Sequence, residues 1–569
     1  MKQLLKLSFL LFGITAMAQT ALYIPDTISG SNINLLIHKD SVQFLAGRKT
    51  KTYGFNSNKY LGSTIILNSG SNVNFTVNNQ MGDTTTVHWH GLHVAPTNDG
   101  NPHTTILPSA IWTPSFTVMD KASTYWYHPH FHGKTATHVV KGLAGMIIVR
   151  DTEERALTLP RTYGIDDIPV IVQSMEFDSV NQIIPRGMQD SMVLVNGARA
   201  NYGYSVYANL PAQVVRLRLL NAGGERGYNF GLSGNKPFKI IGTDGGLLQA
   251  PVNATRIMLA SGERAEILID LTGMNGQTIY LMSYASEIPM GVQGGPTMPM
   301  GAGSPSMDSP INGIDYNVMQ INVTVPTTTP IPVTSIPTAL ASFTPYMASQ
   351  ANTIRTITMT PISMMSMDGP FYFNGLLFDM MRIDYKIPLN NIEIWELKNE
   401  TMVAHPFHIH DVQFYILDRD GNLPALQERG RKDVVLVNPN ETVRFIAKFE
   451  DFADSLNPYM FHCHILMHED DGMMGQFVVM PPTSVGVNEV ENSSNIISVY
   501  PNPTNGIVNI TTNGINELKI YNVLGELIYT ENKISTNELQ INTSQWSRGI
   551  YNLSITNNNK TLTKKLIVN

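Results

Sequence analysis

Apolar residues recur at every second position through short runs along most of this chain: "STIILNSGSNVNFTVNN", "GMIIVRD", "VVRLRLLN", "FKIIGTDGG", "AEILIDL", "ETVRFIAKF" and "GQFVVM". Successive side chains of a β-strand face opposite sides, so this alternation predicts strands with one buried face. Gly, Pro, Asn and Asp punctuate the runs, as turns require. A sustained 3.6-residue period is absent. The pattern predicts an all-β chain of sandwiches.

Breaks in the pattern divide the chain. Lys2 and Lys6 precede a mostly apolar run from Leu4 to Ile14, and Ala16-Met17-Ala18 is a small-x-small cleavage signal, so residues 1–18 read as a secretory signal peptide. That run is too short to span a bilayer, and no other stretch is a candidate span. Sandwich-sized units are expected at 21–150, 160–325 and 350–482. A Pro/Thr-rich linker over 326–349 should be extended and stiff. A second linker, 483–496, leads to a polar tail of short strands over 497–569.

The net charge of −7 is mild and spread out. Neither nucleic acid nor an anionic membrane surface is an implied partner. One cysteine, Cys463, occurs in 569 residues. It cannot form an internal disulfide, and an odd thiol in an exported chain points to reactivity, pairing with another chain, or metal.

Its surroundings favour metal. Cys463 lies in "YMFHCHILMHEDDGMM", between His462 and His464, with His468 and Met473 following at five-residue steps. Three further clusters, "HWHG" (His88, His90), "HPHFHG" (His128, His130, His132) and "HPFHIH" (His405, His408, His410), hold most of the other histidines. The ends of an H-x-H on a strand point the same way. Four such pairs give eight imidazoles, which converge if the first and third sandwiches abut. Cys463 must then face the opposite side of its strand. His405, an odd number of residues from His408 and His410, faces away from them and can share a second site with Cys463. Two His, one thiolate and a weak Met, here His405, His468, Cys463 and Met473, are a blue-copper ligand set. Structural zinc prefers a closed four-ligand site and leaves eight paired imidazoles unexplained. The backbone from Cys463 to His462 and His464 forms a short covalent path from an electron-accepting site to the cluster.

At these residues, and in "WYHPHFHGKT", "GLAGMIIV", "RLRLLNAGGERGYNF", "TDGGLL", "NGLLFDM" and "HCHILMHEDDGMMGQFVV", the chain resembles the multicopper oxidases over about residues 45 to 482. The branch is that of cuprous oxidase, spore-coat laccase and bilirubin oxidase. The resemblance implies three cupredoxin-like Greek-key β-sandwich domains and four copper ions. By position, His405, Cys463 and His468 would hold the type 1 copper with Met473 axial. His88 and His408 would hold type 2, and His90, His128, His130, His410, His462 and His464 the type 3 pair. Asp99 and Glu469 match acids that supply protons for reducing O2 to water. His38, His93, His103, His132 and His138 fall outside the set; of these His132 is the one placed to orient a ligand.

The electron donor is expected beside an exposed edge of His468. Methionines cluster at Met290, Met298, Met300 and Met307 and at Met359, Met364, Met365 and Met367, with Met380, Met381 and Met402 nearby. Soft thioethers favour a Cu(I) donor, although Met also fills cores. Against that, "SMDGPFYFNGLLFDM" lacks the long Met-rich insertion of the cuprous-oxidase branch, and Thr401, Met402, Val403 and Ala404 stand just before His405 where that branch has an acid and a further thioether. The reading favours laccase-like oxidation of phenols or aromatic amines, with cuprous oxidation as the alternative. Non-enzymatic copper storage or a scaffold role is the alternative from another class. The tail, with "ISVYPNPTNGIVNI", "NVLGE" and a basic end, resembles the β-sandwich sorting domain of the type IX secretion system. That implies passage through the periplasm to the cell surface or the medium, with the secretion machinery as partner.

Overall fold

A computed structural model describes residues 18–187, 189–201, 204–297, 309–363, 369–482, 498–511, 516–532, 538–557 and 560–569. The chain divides into two units, residues 1–482 and 483–569. Most of the expected signal peptide, the linker over 483–496, and Met298, Met300, Met307, Met364, Met365 and Met367 lie outside the described residues.

The first unit contains three sandwiches. In the first, one sheet runs Thr27–Ser29, Thr64–Asn68, Gly145–Arg150, Ser123–His128, His88–His90, and faces a sheet built on Asn32–Val42 and Asn72–Asn79. The alternation seen in sequence is literal: Asn72–Asn79 buries Val73, Phe75 and Val77 and exposes the residues between them. The second sandwich pairs an extended sheet around Asp167–Phe177, Val214–Asn221 and Arg264–Asp270 with a six-stranded sheet. The edge of that six-stranded sheet is Ala18–Ala21, which pairs parallel with Tyr204–Pro211. The first strand among the described residues thus belongs to the second sandwich rather than the first. The Pro/Thr-rich segment is pinned to the same sandwich: Val214 N donates to Val333 O at 2.8 Å, Leu340 N to Gln249 O at 2.9 Å, and Leu340 is buried in its core.

The third sandwich sets Phe371–Phe373, Thr353–Pro361, Asn391–Asn399, Thr442–Phe449 and Tyr415–Arg419 against Tyr385–Pro388, Met474–Met480, Asp454–Cys463, His405–Ile409 and Val434–Val437. In that second sheet Phe407 stands opposite Cys463, and His408 opposite His462.

A shared apolar core joins the three sandwiches: Trp126, Val139 and Ile148 of the first, Ile171, Leu194 and Leu220 of the second, and Leu466 of the third. Short helices Thr135–Val140 and Leu466–Asp470 meet there. Asp470 accepts from the N–H groups of Thr135 (2.8 Å) and Ala136 (3.1 Å), occupying donors that a helix start leaves free. Beside this core lies a buried ionic cluster. Glu266 pairs with Arg216 and Arg218, Arg216 with Glu154 (2.8 Å), Arg218 with Asp167 (2.7 Å), and Arg150 with Asp167 (2.7 Å). Thr124 of the first sandwich donates to Glu266 at 2.8 Å.

The second unit is a small sandwich. One sheet orders Ser498–Tyr500, Ile507–Thr511, Glu538–Asn542; the other orders Leu527–Asn532, Glu517–Asn522, Gly549–Asn557, Lys560–Val568. Val508, Ile510, Leu518, Ile520, Leu553, Ile555 and Leu566 form its core.

Deleting Glu266 takes one partner from each of Arg216 and Arg218, which keep only Glu154 and Asp167, and breaking a buried pair costs about 3–5 kcal/mol. Glu266→Ala is therefore expected to lower the unfolding free energy of the full chain by that order, read as a lower midpoint in chemical unfolding. An unchanged midpoint would show that the cluster is hydrated rather than tightly paired.

Candidate metal centre

The first and third sandwiches bring eight imidazoles to their boundary. His90, His128 and His464 converge, as do His130, His410 and His462, and each trio's ligand atoms lie within 4.8 Å of one another. His88 and His408 complete the cluster, grouped with His90. Both sandwiches contribute to each trio, so neither holds one alone. Members of one H-x-H go to different groups: His128 and His130 part, as do His462 and His464. Only His88–His90 lies wholly within a strand; His130, His410 and His464 fall just past strand ends, where the period-two rule relaxes and the rings splay.

Hydrogen bonds fix which nitrogen each ring presents. Nδ1 of His88 faces the carbonyl of Asp99 (2.9 Å), that of His408 the carbonyl of Asp433 (2.8 Å), that of His128 the carbonyl of Pro129 (2.9 Å), and that of His462 the carbonyl of Cys463 (3.0 Å). His410 Nδ1 meets Asp99 Oδ2 at 2.8 Å. These contacts leave Nε2 as the lone-pair atom, and Nε2 of His88, His408, His410 and His464 has no hydrogen-bond partner though buried. His130 and His462 bring their Nε2 atoms within 3.0 Å of each other. The rings pack closely, with His88 on His410 at 3.9 Å and His90 on His408 at 3.8 Å between centroids.

Burial, reinforced by neighbouring imidazoles, holds His90, His128, His130, His408 and His462 well below the usual imidazole range. The same burial brings His410 to about 4, against the pull of Asp99, and His464 to about 3. Neutral imidazoles aiming unpartnered lone pairs at shared points are a set that soft-to-borderline cations satisfy. The residues fit copper.

On the other side of the same strand, Cys463 Sγ lies 3.5 Å from His405 Nδ1 and 3.6 Å from His468 Nδ1. Thr401 Oγ1 meets His405 Nε2 at 2.9 Å, which turns Nδ1 toward the sulfur. Met473 is fully buried in the core that holds Cys463, and its carbonyl accepts from the Cys463 N–H at 3.1 Å. Burial pushes the Cys463 thiol up; a bound cation is what would convert it to thiolate. The exposed His468 edge expected from sequence is not found. His468 is 3% exposed, because Phe371 packs on it at 4.6 Å and on His405 at 4.7 Å.

Both expected acids reach the cluster. Asp99 is fully buried, with Oδ1 3.2 Å from His88 Nδ1 as well as its bond to His410. Burial alone would raise its carboxyl, but the imidazoles of His410 and His88 outweigh that and hold it well below the usual range. Glu469 places its two oxygens 3.3 Å from His130 Nδ1 and from His462 Nδ1. Burial, then the Asp470 charge, pushes Glu469 well above the usual range. One acid is therefore held below its usual range beside His88 and His410, and the other above it beside His130 and His462.

Sequence reasoning missed Asp433. It is buried, with Oδ1 3.1 Å from His90 Nε2, and receives two 2.6 Å bonds from Arg264. It lies 343 residues from His90, and no local motif marks it. The remaining histidines stand outside the cluster. His132 packs edge-on against Phe378 at 5.1 Å, His103 bonds Gln476 at 2.8 Å, buried His138 bonds Thr85 at 3.1 Å, and His38 bonds the Asn56 carbonyl at 2.6 Å. His93 pairs with Asp120 at 2.7 Å.

Comparison with known proteins agrees with this architecture. Multicopper oxidase family models match residues 37–154, 171–297 and 345–483, and a secretion system C-terminal sorting domain model matches 498–569. The chain belongs to the multicopper oxidase family, and it is an oxidoreductase carrying a type IX sorting domain that marks it for secretion. It is 33% identical over 459 residues to multicopper oxidase mco of Staphylococcus haemolyticus, covering 79% of this chain and 88% of that one. It is 32% identical over 462 residues to cell division protein FtsP of Sodalis glossinidius, covering 80% and 91%. The solved structure of a laccase-like multi-copper oxidase CueO from Ochrobactrum sp. superposes with a TM-score of 0.69 at 30% identity, over 81% of this chain and all of that one. The three cupredoxin-like sandwiches are thus the family fold. Among the described residues no helix is long and apolar enough to cross a membrane.

His93 provides a pH handle away from the ligand set. Burial lowers it, but the Asp120 carboxylate outweighs burial and raises it to about 9. A group raised on folding stabilises fully below its unfolded value, near 6.5, and that stabilisation fades as pH climbs through 9. At about 1.4 kcal/mol per tenfold in proton affinity, the swing is at most about 3 kcal/mol. His93→Gln should flatten the fall in melting temperature between pH 6.5 and 9. A fall of the same size in the variant would assign it to another group.

Proposed function

We propose that the protein binds four copper ions, couples one-electron oxidation of a donor to four-electron reduction of O2 to water, and acts as a laccase-like oxidase. In this reading His405, Cys463, His468 and Met473 hold the type 1 copper, His88 and His408 the type 2 copper, and His90, His128, His130, His410, His462 and His464 the type 3 pair. The observation that carries it is the division of one strand: His462 and His464 turn to the imidazole cluster while Cys463, between them, turns to His405 and His468. Copper, when bound, supplies the one-electron steps at both places.

The chain's own groups do the rest. Cys463 and its neighbours put one peptide unit between the two sites. Glu469, whose burial favours the protonated form, is placed to pass on a proton beside His130 and His462. Asp99 remains an acceptor fixed between His88 and His410 and holds their orientation.

An organic donor is favoured by the surface beside Cys463 and His468. Leu376, Leu377 and Met381 are exposed at 47%, 37% and 89%, and this ledge is tied to the turn after His468 by the Phe378 N–H to Gly472 O bond of 2.9 Å. Such a ledge suits an aromatic ring. The similar Ochrobactrum protein is described as having oxidase activity towards lignin model compounds and lignosulfonate. Cu(I) oxidation is the second reading. Its support is that Met290 and Met402, both exposed, sit on loops joined by the Ala404 N–H to Gly291 O bond of 2.7 Å, next to His405. Storage or scaffolding, despite the likeness to FtsP, is disfavoured because all ten histidines of the pattern are present. The sorting domain carries the chain through the periplasm to the type IX machinery, and from there to the surface or medium.

Oxygen uptake by the copper-loaded chain is expected with a phenol as well as with Cu(I), and added Cu(II) should not stimulate phenol turnover. Uptake with Cu(I) alone would overturn the laccase-like reading, and uptake with neither would favour storage. Cys463→Ser is expected to lose the red-end charge-transfer band and turnover while retaining the cluster's copper; retained turnover would remove Cys463 from the electron path.

A further inference from the structure

The second sandwich gives no histidine to the cluster, yet one of its turns touches it. Ser261, Gly262 and Arg264 are all buried there. Gly262 has φ +86°, and a Cβ at that position would lie 2.9 Å from Cδ2 and Cγ of His464 and 3.0 Å from its Nδ1. Only glycine both adopts this backbone and lets the ring lie against it. Ser261 Oγ donates to Gly223 O at 2.5 Å and faces His464 Nδ1 at 3.3 Å, which leaves Nε2 as the lone-pair atom.

Arg264 extends the same contact to other rings. Its Nη1 holds the turn through Gly262 O (3.1 Å), its Nε reaches Thr124 O of the first sandwich (3.0 Å), and its fork grips both oxygens of Asp433 in the third. Asp433 meets His90 Nε2, so the lone pair of that ring falls on Nδ1, 3.2 Å from His128 Nε2. Its main-chain carbonyl meanwhile receives His408 Nδ1. The residue after His90 is Gly91, where a Cβ would lie 2.4 Å from Asp433 Oδ2 and 2.8 Å from Arg264 Nη2. The two glycines make room, one for a ligand ring and one for the ion pair behind another.

We propose that the turn Ser261-Gly262-Glu263-Arg264 is a positioning element for the cluster, setting His464 directly and His90 and His408 through Asp433. This rests on reading the imidazoles as a copper cluster. It gives the second sandwich a part in the reaction that its lack of ligands conceals. The hydrogen bonds of this turn reach Gly223, His464, Thr124 and Asp433 rather than Cys463, His405 or His468, so the site around the sulfur serves as an internal control.

The test uses the full chain loaded with Cu(II), comparing wild type with Gly262→Ala, Ser261→Ala and Arg264→Lys. Copper retained against a competing chelator is measured alongside the red-end band and the melting temperature. Loss of an outer partner of a ligand costs about 10–100-fold in metal affinity. The expected result is that loss for cluster copper in Gly262→Ala, with the band kept, and a smaller loss in Ser261→Ala. Arg264→Lys, which retains the charge without the fork, should fall between wild type and Gly262→Ala. If one variant does not fold, the others decide. Wild-type copper retention in the folded variants, with only the melting temperature lowered, would overturn the proposal. Wild-type protein that takes up no copper would instead overturn the copper reading beneath it.

Discussion

Everything at the metal centre depends on the pairing of two strands. Asp454–Cys463 lies antiparallel to His405–Ile409 with Phe407 opposite Cys463 and His408 opposite His462. Because side chains alternate, that single register sends His462 and His408 toward the first sandwich and Cys463 into the interior of the third. A slip of one residue would exchange the thiol for an imidazole on both faces at once. The apolar residues around these positions, Phe407, Phe461, Ile465 and Phe477, are buried in one core and hold the register.

Burial supplies the second half of the design. Imidazoles crowded away from water cannot all be charged, and four of the eight turn Nδ1 to a main-chain carbonyl. What remains is a concentration of uncharged lone pairs with no protein partner. The desolvation of these lone pairs makes the arrangement selective for cations that bind nitrogen. Ion pairs at the margins, Asp433 with Arg264 above all, hold the three sandwiches around the cluster.

Much of this was legible in the sequence. The H-x-H repeats and the H-C-H predicted the eight-imidazole cluster and the thiol on the reverse face, since strand parity is local. The sorting tail and the three-sandwich plan were legible from motifs and composition. Parity did not separate His128 from His130 or His462 from His464, because His130 and His464 lie past strand ends, where side chains no longer alternate strictly. It could not reveal Asp433, Ser261, Gly262 or Arg264, whose contacts with the histidines exist only once the sandwiches dock. The exposure expected at His468 was lost to Phe371, a packing contact across nearly a hundred residues. Ala18–Ala21 joined the second sandwich because its open edge strand, Tyr204–Pro211, offered main-chain partners that a local pattern does not record.

The most direct measurement is an anomalous difference map of the copper-loaded protein, recorded on both sides of the copper absorption edge. The account predicts four peaks that vanish below the edge: three among the imidazoles of His88, His90, His128, His130, His408, His410, His462 and His464, and one between Cys463, His405 and His468. Peaks that are missing just above the copper edge and appear only above the higher-energy zinc edge, or density at Cys463 shared with His462 or His464 on a single ion, would contradict it.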